Sequence, residues 1–209
     1  PIMISAAAQL QKRILSFWFK EFVNGQPLPL SLIKFWFDGG ELIDNECRNN
    51  FSKEVEEIFE NKSYIDEMKQ TPEGTLGLTI LLDQIPRNIF RRTARPFVDF
   101  DPIALDVARY CIDRNWDEKL HPIQRSFIYL PFEHSENLED QEISVKKNRW
   151  NANTAPEIYS DILNSFADFA DKHKVVIEKF GRFPHRNQYI NRESTKEEIY
   201  YLENNGERW

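Results

Sequence analysis

Proline stands at the start of one amphipathic run after another in this chain, and that arrangement leaves little room for anything but helix. Thr71-Pro72-Glu73, Asp101-Pro102, His121-Pro122 and Ala155-Pro156-Glu157 each put proline at a first helical position. There its missing N–H would have had no partner, and its fixed φ already suits the helix. Thr71 and Asp101 are N-cap types, whose side-chain oxygens accept from unpaired first-turn N–H groups. Ser194-Thr195-Lys196-Glu197 has the form of a capping box and opens a last helix. Between these starts the apolar residues keep the helical period. Leu78, Leu81, Leu82, Ile85 and Ile89 run i, i+3, i+4, i+7 and i+11. Ile103, Val107, Tyr110 and Cys111 repeat the pattern, as do Ile158, Ile162, Phe166 and Phe169. Only 7 glycines occur in 209 residues, too few for a turn-dense β sandwich or a Gly-rich phosphate loop.

The spacing predicts helices near 5–23, 45–60, 72–91, 102–115, 122–131, 136–150, 156–179 and 195–204. The joins are short except at 24–44 and 180–193. Short joins make neighbouring helices antiparallel, so the expected class is all-α, a stack of antiparallel helical hairpins. No strict sequence repeat and no linker is visible, and we read 1–209 as one domain. A net charge of −7 argues against a surface built to neutralise nucleic-acid phosphates, though a local basic site is compatible with it. Cys47 and Cys111 lie in helical patterns with no partner motif, as buried thiols in a reducing compartment would; the expected location is cytoplasmic. No run approaches the ~20 apolar residues a membrane helix needs. Lys12, Arg13 and Lys20 precede the first acid, Glu21, as in a transit peptide, but "ILSFWFKEF" carries the aromatic load of a core helix. Pro1 and Ile2, ahead of Met3, read as residues added for expression.

Three polar stretches stand out from the helical background. In "LLDQIPRNIFRRTARPF" (81–97), Asp83 lies four residues before Arg87 and Gln84 four before Asn88, so the pairs stack on one helix flank. Pro86 removes the N–H that would bond the Leu82 carbonyl, so the helix should kink or end there. Arg87, Arg91, Arg92 and Arg95 face one acid between residues 80 and 96, and guanidinium forks suit carboxylates and phosphates. An internal Asp83–Arg87 ion pair with solvated arginines beside it explains the same residues without a ligand. In "YLPFEHSENLEDQ" (129–141), Ser135 reads as an N-cap and Glu136 as a first-turn acid. His134 has no such explanation. Glu133, His134, Glu136 and Asp140 are metal-ligand types, but no HExxH or equivalent spacing is present, so no metal is expected. In "FGRFPHRN" (180–187), Gly181 ends a helix and Pro184 holds Phe183 extended, leaving Arg182, His185, Arg186 and Asn187 on a defined loop. That loop could equally be a staple, with Phe180 and Phe183 in the core and Arg186 and Asn187 bonded to helix ends.

Taken together and in this order, "FWF", "KFWFDGGELIDNECRNNF", "LLDQIPRNIFRRTARPFVDFD", "FIYLPFEHSENLEDQ" and "FGRFPHRN…NRESTKEEIYYL" resemble the domain of unknown function 924 family over residues 14 to 204. The resemblance implies an all-helical, tetratricopeptide-like arrangement and carries no activity or cofactor with it. The family's recurrent polar residues correspond to Asp83, Gln84, Arg87, Asn88, His134, Ser135, Glu136, Gln141, Arg182, His185, Arg186 and Asn187. Two positions depart from its pattern: Glu133 stands where methionine is usual, and Asn191 where glycine is usual before Arg192.

Two functions follow as expectations. In the first, a binding module holds an anionic small molecule or acidic peptide, clamped by Arg87, Arg182 and Arg186 and oriented by Gln84, Asn88 and Asn187, with Asp83 and Gln141 in the same wall. In the second, a hydrolase or transferase uses His134 or His185 as general base and Glu136 or Asp83 as its orienting carboxylate. Binding is preferred because no GxSxG, Walker, GxGxxG or CxxC motif is present. A protein-interaction scaffold presenting Trp36 and Trp209 is the third alternative.

Overall fold

The computed structural model describes residues 4–60 and 62–209, and all the regular structure in them is helical. The helices are α1 (Ala6–Trp18), α2 (Leu30–Phe37), α3 (Glu41–Glu60), α4 (Lys62–Met68), α5 (Pro72–Thr79), α6 (Ile85–Ile89), α7 (Asp101–Ile112), α8 (Pro122–His134), α9 (Leu138–Thr154), α10 (Ser160–Phe180) and α11 (Lys196–Glu203). Pro1 and Ile2 lie outside the described residues.

Two helices escaped the sequence pattern. Helix α2, LSLIKFWF, is apolar on nearly every side, so it shows no period. Helix α4 is only seven residues long. The run expected to be one helix over 72–91 is α5 and α6 joined by a π turn, Ile80–Gln84, in which the Ile85 N–H bonds the Ile80 carbonyl. Pro86 therefore does not end the helix: the widened turn directly before it accommodates the residue that cannot donate. A second π turn, Pro96–Phe100, leads into α7.

The segment from Gly74 to Ile89 is buried at every position but Arg87, so this is a core helix and not a surface helix with one apolar face. It packs against α1, α4, α7 and α8. The approach to α4 is close enough that a Cβ on Gly74 would meet the Met68 carbonyl oxygen at 1.9 Å. Gly74→Ala is therefore expected to lower the unfolding free energy by about 1–3 kcal/mol, read as a lower urea midpoint. Trp36, expected to be exposed, is instead buried. Its Nε1 donates to the Trp18 carbonyl at 2.8 Å, and its ring sits edge-on to Phe127.

The caps correct several sequence readings by a residue or two. Thr71 accepts from the Gly74 N–H as expected. Asn137, not Ser135, caps α9 by accepting from Glu139, and the closing box pairs Thr195 with Glu198. Gly181 ends α10 in the left-handed region, φ 67°. Asn191, where the resemblance places glycine, has φ 55°, which asparagine tolerates better than most residues. Asp101 does not cap α7. Its carboxylate turns to Arg87, and that contact belongs to the polar core described next.

Candidate functional site

The three polar stretches meet in the interior. The π turn brings Asp83 to the end of α8, where Asp83 Oδ1 lies 2.7 Å from His134 Nδ1. Asp83 is completely buried. Its other oxygen accepts from Gln84 Nε2 at 2.6 Å. Arg87 lies against the same carboxylate at 3.4 Å, donates to the Asp83 carbonyl, and grips Asp101 with both Nη atoms at 2.6 and 3.0 Å. Arg186, from the short 3₁₀ turn Pro184–Arg186, completes the group. Its Nη2 donates to the His134 carbonyl at 2.9 Å, a buried acceptor at the α8 C-terminus, and its guanidinium lies between the rings of Phe97 and Phe183.

Two carboxylates, Asp83 and Asp101, thus answer two guanidiniums, Arg87 and Arg186. Burial opposes charge on Asp83, but His134 and Arg87 outweigh it and hold the carboxyl down at about 2. His134 is shifted below the usual histidine range by burial and by Arg87, with Asp83 pulling the other way. At neutral pH the pair is therefore an ionised aspartate and a neutral imidazole whose Nδ1–H donates to it. Nothing among the described residues hydrogen-bonds His134 Nε2, and the side chain keeps 10% of its surface exposed. Burial brings Arg186 down to about 10, still charged at neutral pH.

The other expected site residues, His185 apart, have structural partners. Glu136 does not orient a histidine: it accepts from the Phe183 N–H and from both Nη atoms of Arg192, tying the 181–192 loop to the turn after α8. Arg182 forks onto Glu198 at 2.6 and 2.8 Å. Asn187 joins Arg192, Ser194 and Glu198. Gln141 donates to the carbonyls of Glu133 and Ser135, closing the α8 C-terminus. Asn88 bridges the Gln84 carbonyl and Arg91, which itself pairs with Asp44. Asp140 takes Arg109 and Ser135. His185 is buried near Phe97 and Phe183, with no partner for either nitrogen among the described residues.

Two members of the polar core were missed. Asp101 was read as a cap. His173 lies on the buried face of α10, Leu163, Phe166, Ala170, His173 and Ile177, and a histidine on that apolar face was the available signal. Its ring centroid is 6.1 Å from that of His134, and its Nδ1 is 2.8 Å from the Phe169 carbonyl and 3.1 Å from Glu133 Oε1. Burial pushes Glu133 well above the carboxylate range and His173 well below the histidine range, so burial disfavours charge on both. Position 133 is thus a buried polar neighbour of the dyad in this chain.

An all-helical protein with a largely buried, charge-balanced His–Asp–Arg core is the class defined by this fold and site. The chain belongs to the family described as bacterial protein of unknown function (DUF924), whose model matches residues 14–206. It is similar to a solved protein of unknown function from Agrobacterium tumefaciens, at 31% identity and a TM-score of 0.76, over 95% of this chain and 99% of that one. It matches none of the curated proteins. Among the described residues no helix is long and apolar enough to cross a membrane.

Proposed function

We propose that the polar core is a proton-transfer site of a hydrolase or transferase, with His134 as general base and Asp83 as the carboxylate that orients it. The observation that carries this is the 2.7 Å Asp83–His134 contact, with Nε2 left without a partner. Asp83 fixes the Nδ1–H tautomer, which turns the Nε2 lone pair toward whatever enters. Arg87 and Arg186 would supply the positive field in which negative charge develops on a substrate. Anion binding by Arg87, Arg182 and Arg186 as its own end has less support, because a carboxylate already answers each guanidinium. A scaffold role resting on Trp36 fails with its burial. We further read the chain as one domain with tetratricopeptide-like stacking, working in the cytoplasm, where its two buried free thiols would stay reduced.

The test pairs a tautomer with turnover. Nitrogen-15 shifts of His134 should report Nδ1–H and a bare Nε2 at pH 7. Across a panel of ester, amide and phosphate-ester substrates, His134→Gln should lower any turnover by about 10²–10⁴-fold while the far-ultraviolet spectrum is unchanged. Retained turnover in that variant, or a protonated Nε2, removes the proposal.

A further inference from the structure

Residues 204–209 fold back over the polar core. Asn204 ends α11, Asn205 turns the chain at φ 60°, and the following four residues run towards α10. The segment is held mainly by its own neighbour, α11: the Gly206 N–H donates to the Tyr201 carbonyl, the Glu207 N–H to the Tyr201 hydroxyl, and Arg208 to the Leu202 carbonyl. At its far end the Trp209 indole lies on the His173 imidazole, centroids 3.6 Å apart and planes 23° apart, with Phe183 edge-on at 6.0 Å. The indole thus fills a place with one flat wall and one aromatic edge.

It fills that place by shape alone. Trp209 Nε1 is buried without a partner, and so are His173 Nε2, Glu133 Oε2 and both nitrogens of His185. Glu133, His173 and His185 are each more than nine-tenths buried. A buried donor or acceptor left unpaired costs roughly 1–3 kcal/mol, and four side chains carry such atoms around Phe183 and His173. Beside His185 a recess of about 170 Å³ runs between Pro184, Leu202 and Arg208, the last of these from the same segment. An indole offers one N–H and no acceptor, so it cannot answer this set of groups.

We propose that residues 204–209 are a strap whose Trp209 stands in for a planar nitrogen heteroaromatic ring, and that His173 and Phe183 frame the site for that ring. A ring carrying both a donor and an acceptor nitrogen would stack on His173 where the indole stacks and turn its in-plane nitrogens to Glu133 or His185. The strap must leave before the ring binds, which reduces apparent affinity by the fraction of time it is closed. This names the ligand class for the site proposed above and rests on that reading for its role in a reaction, though the binding itself does not require His134 to be a base.

Gly206 gives a way to lift the strap without touching the indole. A Cβ there would lie 2.5 Å from the Tyr201 carbonyl oxygen and 2.6 Å from its ring. Calorimetric titration with benzimidazole, and with indene as its nitrogen-free counterpart, should be run on the unaltered chain, Gly206→Ala and Trp209→Ala. Both variants should bind benzimidazole at least about 10-fold more tightly than the unaltered chain, and both should prefer it to indene by about 10-fold or more. Equal affinity in all three proteins, or a preference for indene, overturns the proposal; the latter would mark a plain apolar cavity. Adding His134→Gln to Trp209→Ala should leave benzimidazole binding intact, so failure of the general-base reading is told apart from failure of this one.

Discussion

Arg87→Ala is expected to cost about 3–5 kcal/mol of folding stability, the range for removing one partner of a buried ion pair. The guanidinium touches two carboxylates and one carbonyl: Asp101 in a fork, Asp83 at 3.4 Å and the Asp83 carbonyl at 2.8 Å. Its loss leaves Asp83 completely buried, with His134 as its remaining cationic neighbour only if that ring takes up a proton. Burial opposes that protonation, so the penalty falls on the fold. Arg87→Lys should recover only part of the loss, because a single ammonium cannot reproduce the fork. Urea unfolding at pH 7 reads all three proteins. A loss under about 1 kcal/mol for alanine, the range of an exposed pair, would mean that solvent reaches Asp83. Combining Arg87→Ala with Asp101→Ala should cost less than the sum of the two, since each leaves the other's partner stranded.

The second large effect is a change in acid sensitivity. His185 is held down to about 3, first by burial and then by Arg186 and Arg87. The unfolded chain takes up this proton near 6.5 and the folded one only near 3, so between those values the unfolded state binds more protons. Stability from this group is complete above 6.5 and drains as pH falls towards 3, at about 1.4 kcal/mol per pH unit. His185→Phe removes that dependence. The variant should therefore gain on the unaltered chain by roughly 2–3 kcal/mol on going from pH 6 to pH 4. His134 and His173 act in the same direction and Glu133 in the opposite one, but all three are present in both proteins and drop out of the difference. Parallel stability curves from urea titrations between pH 4 and pH 7 would show that His185 is free to charge in the folded state.

Much of the fold was readable because its signals are local. Proline at Pro72, Pro102 and Pro122, the 3.6-residue period and Gly181 all act within a turn or two, and they located most of the helices to within a few residues. Helices α2 and α4 were lost because one is apolar all round and the other too short to show a period. The site was legible only as a set of residue types. Asp83 finds His134 across 51 positions, Arg186 finds the His134 carbonyl across 52, and Glu136 finds Arg192 across 56. No spacing rule reaches that far. The i, i+4 rule did pair Asp83 with Arg87, but it could not show that Asp101 takes the stronger grip. Glu136 was named beside Asp83 as a carboxylate to orient His134 or His185. In space that carboxylate turns to the loop that holds Phe183.

The π turn at Ile80–Gln84 has a consequence for how related chains are compared. One extra residue in a helical turn rotates everything after it by about 100° relative to what came before. Arg87 and Asn88, which follow the turn, take their directions relative to α5 from that phase shift. An alignment that runs 72–89 as an unbroken α-helix keeps the letters in register while displacing the faces. A relative lacking one residue between 80 and 84 would carry the same motif out of phase. For this segment, a matching string of residues is a weaker sign of shared chemistry than a matching length of turn.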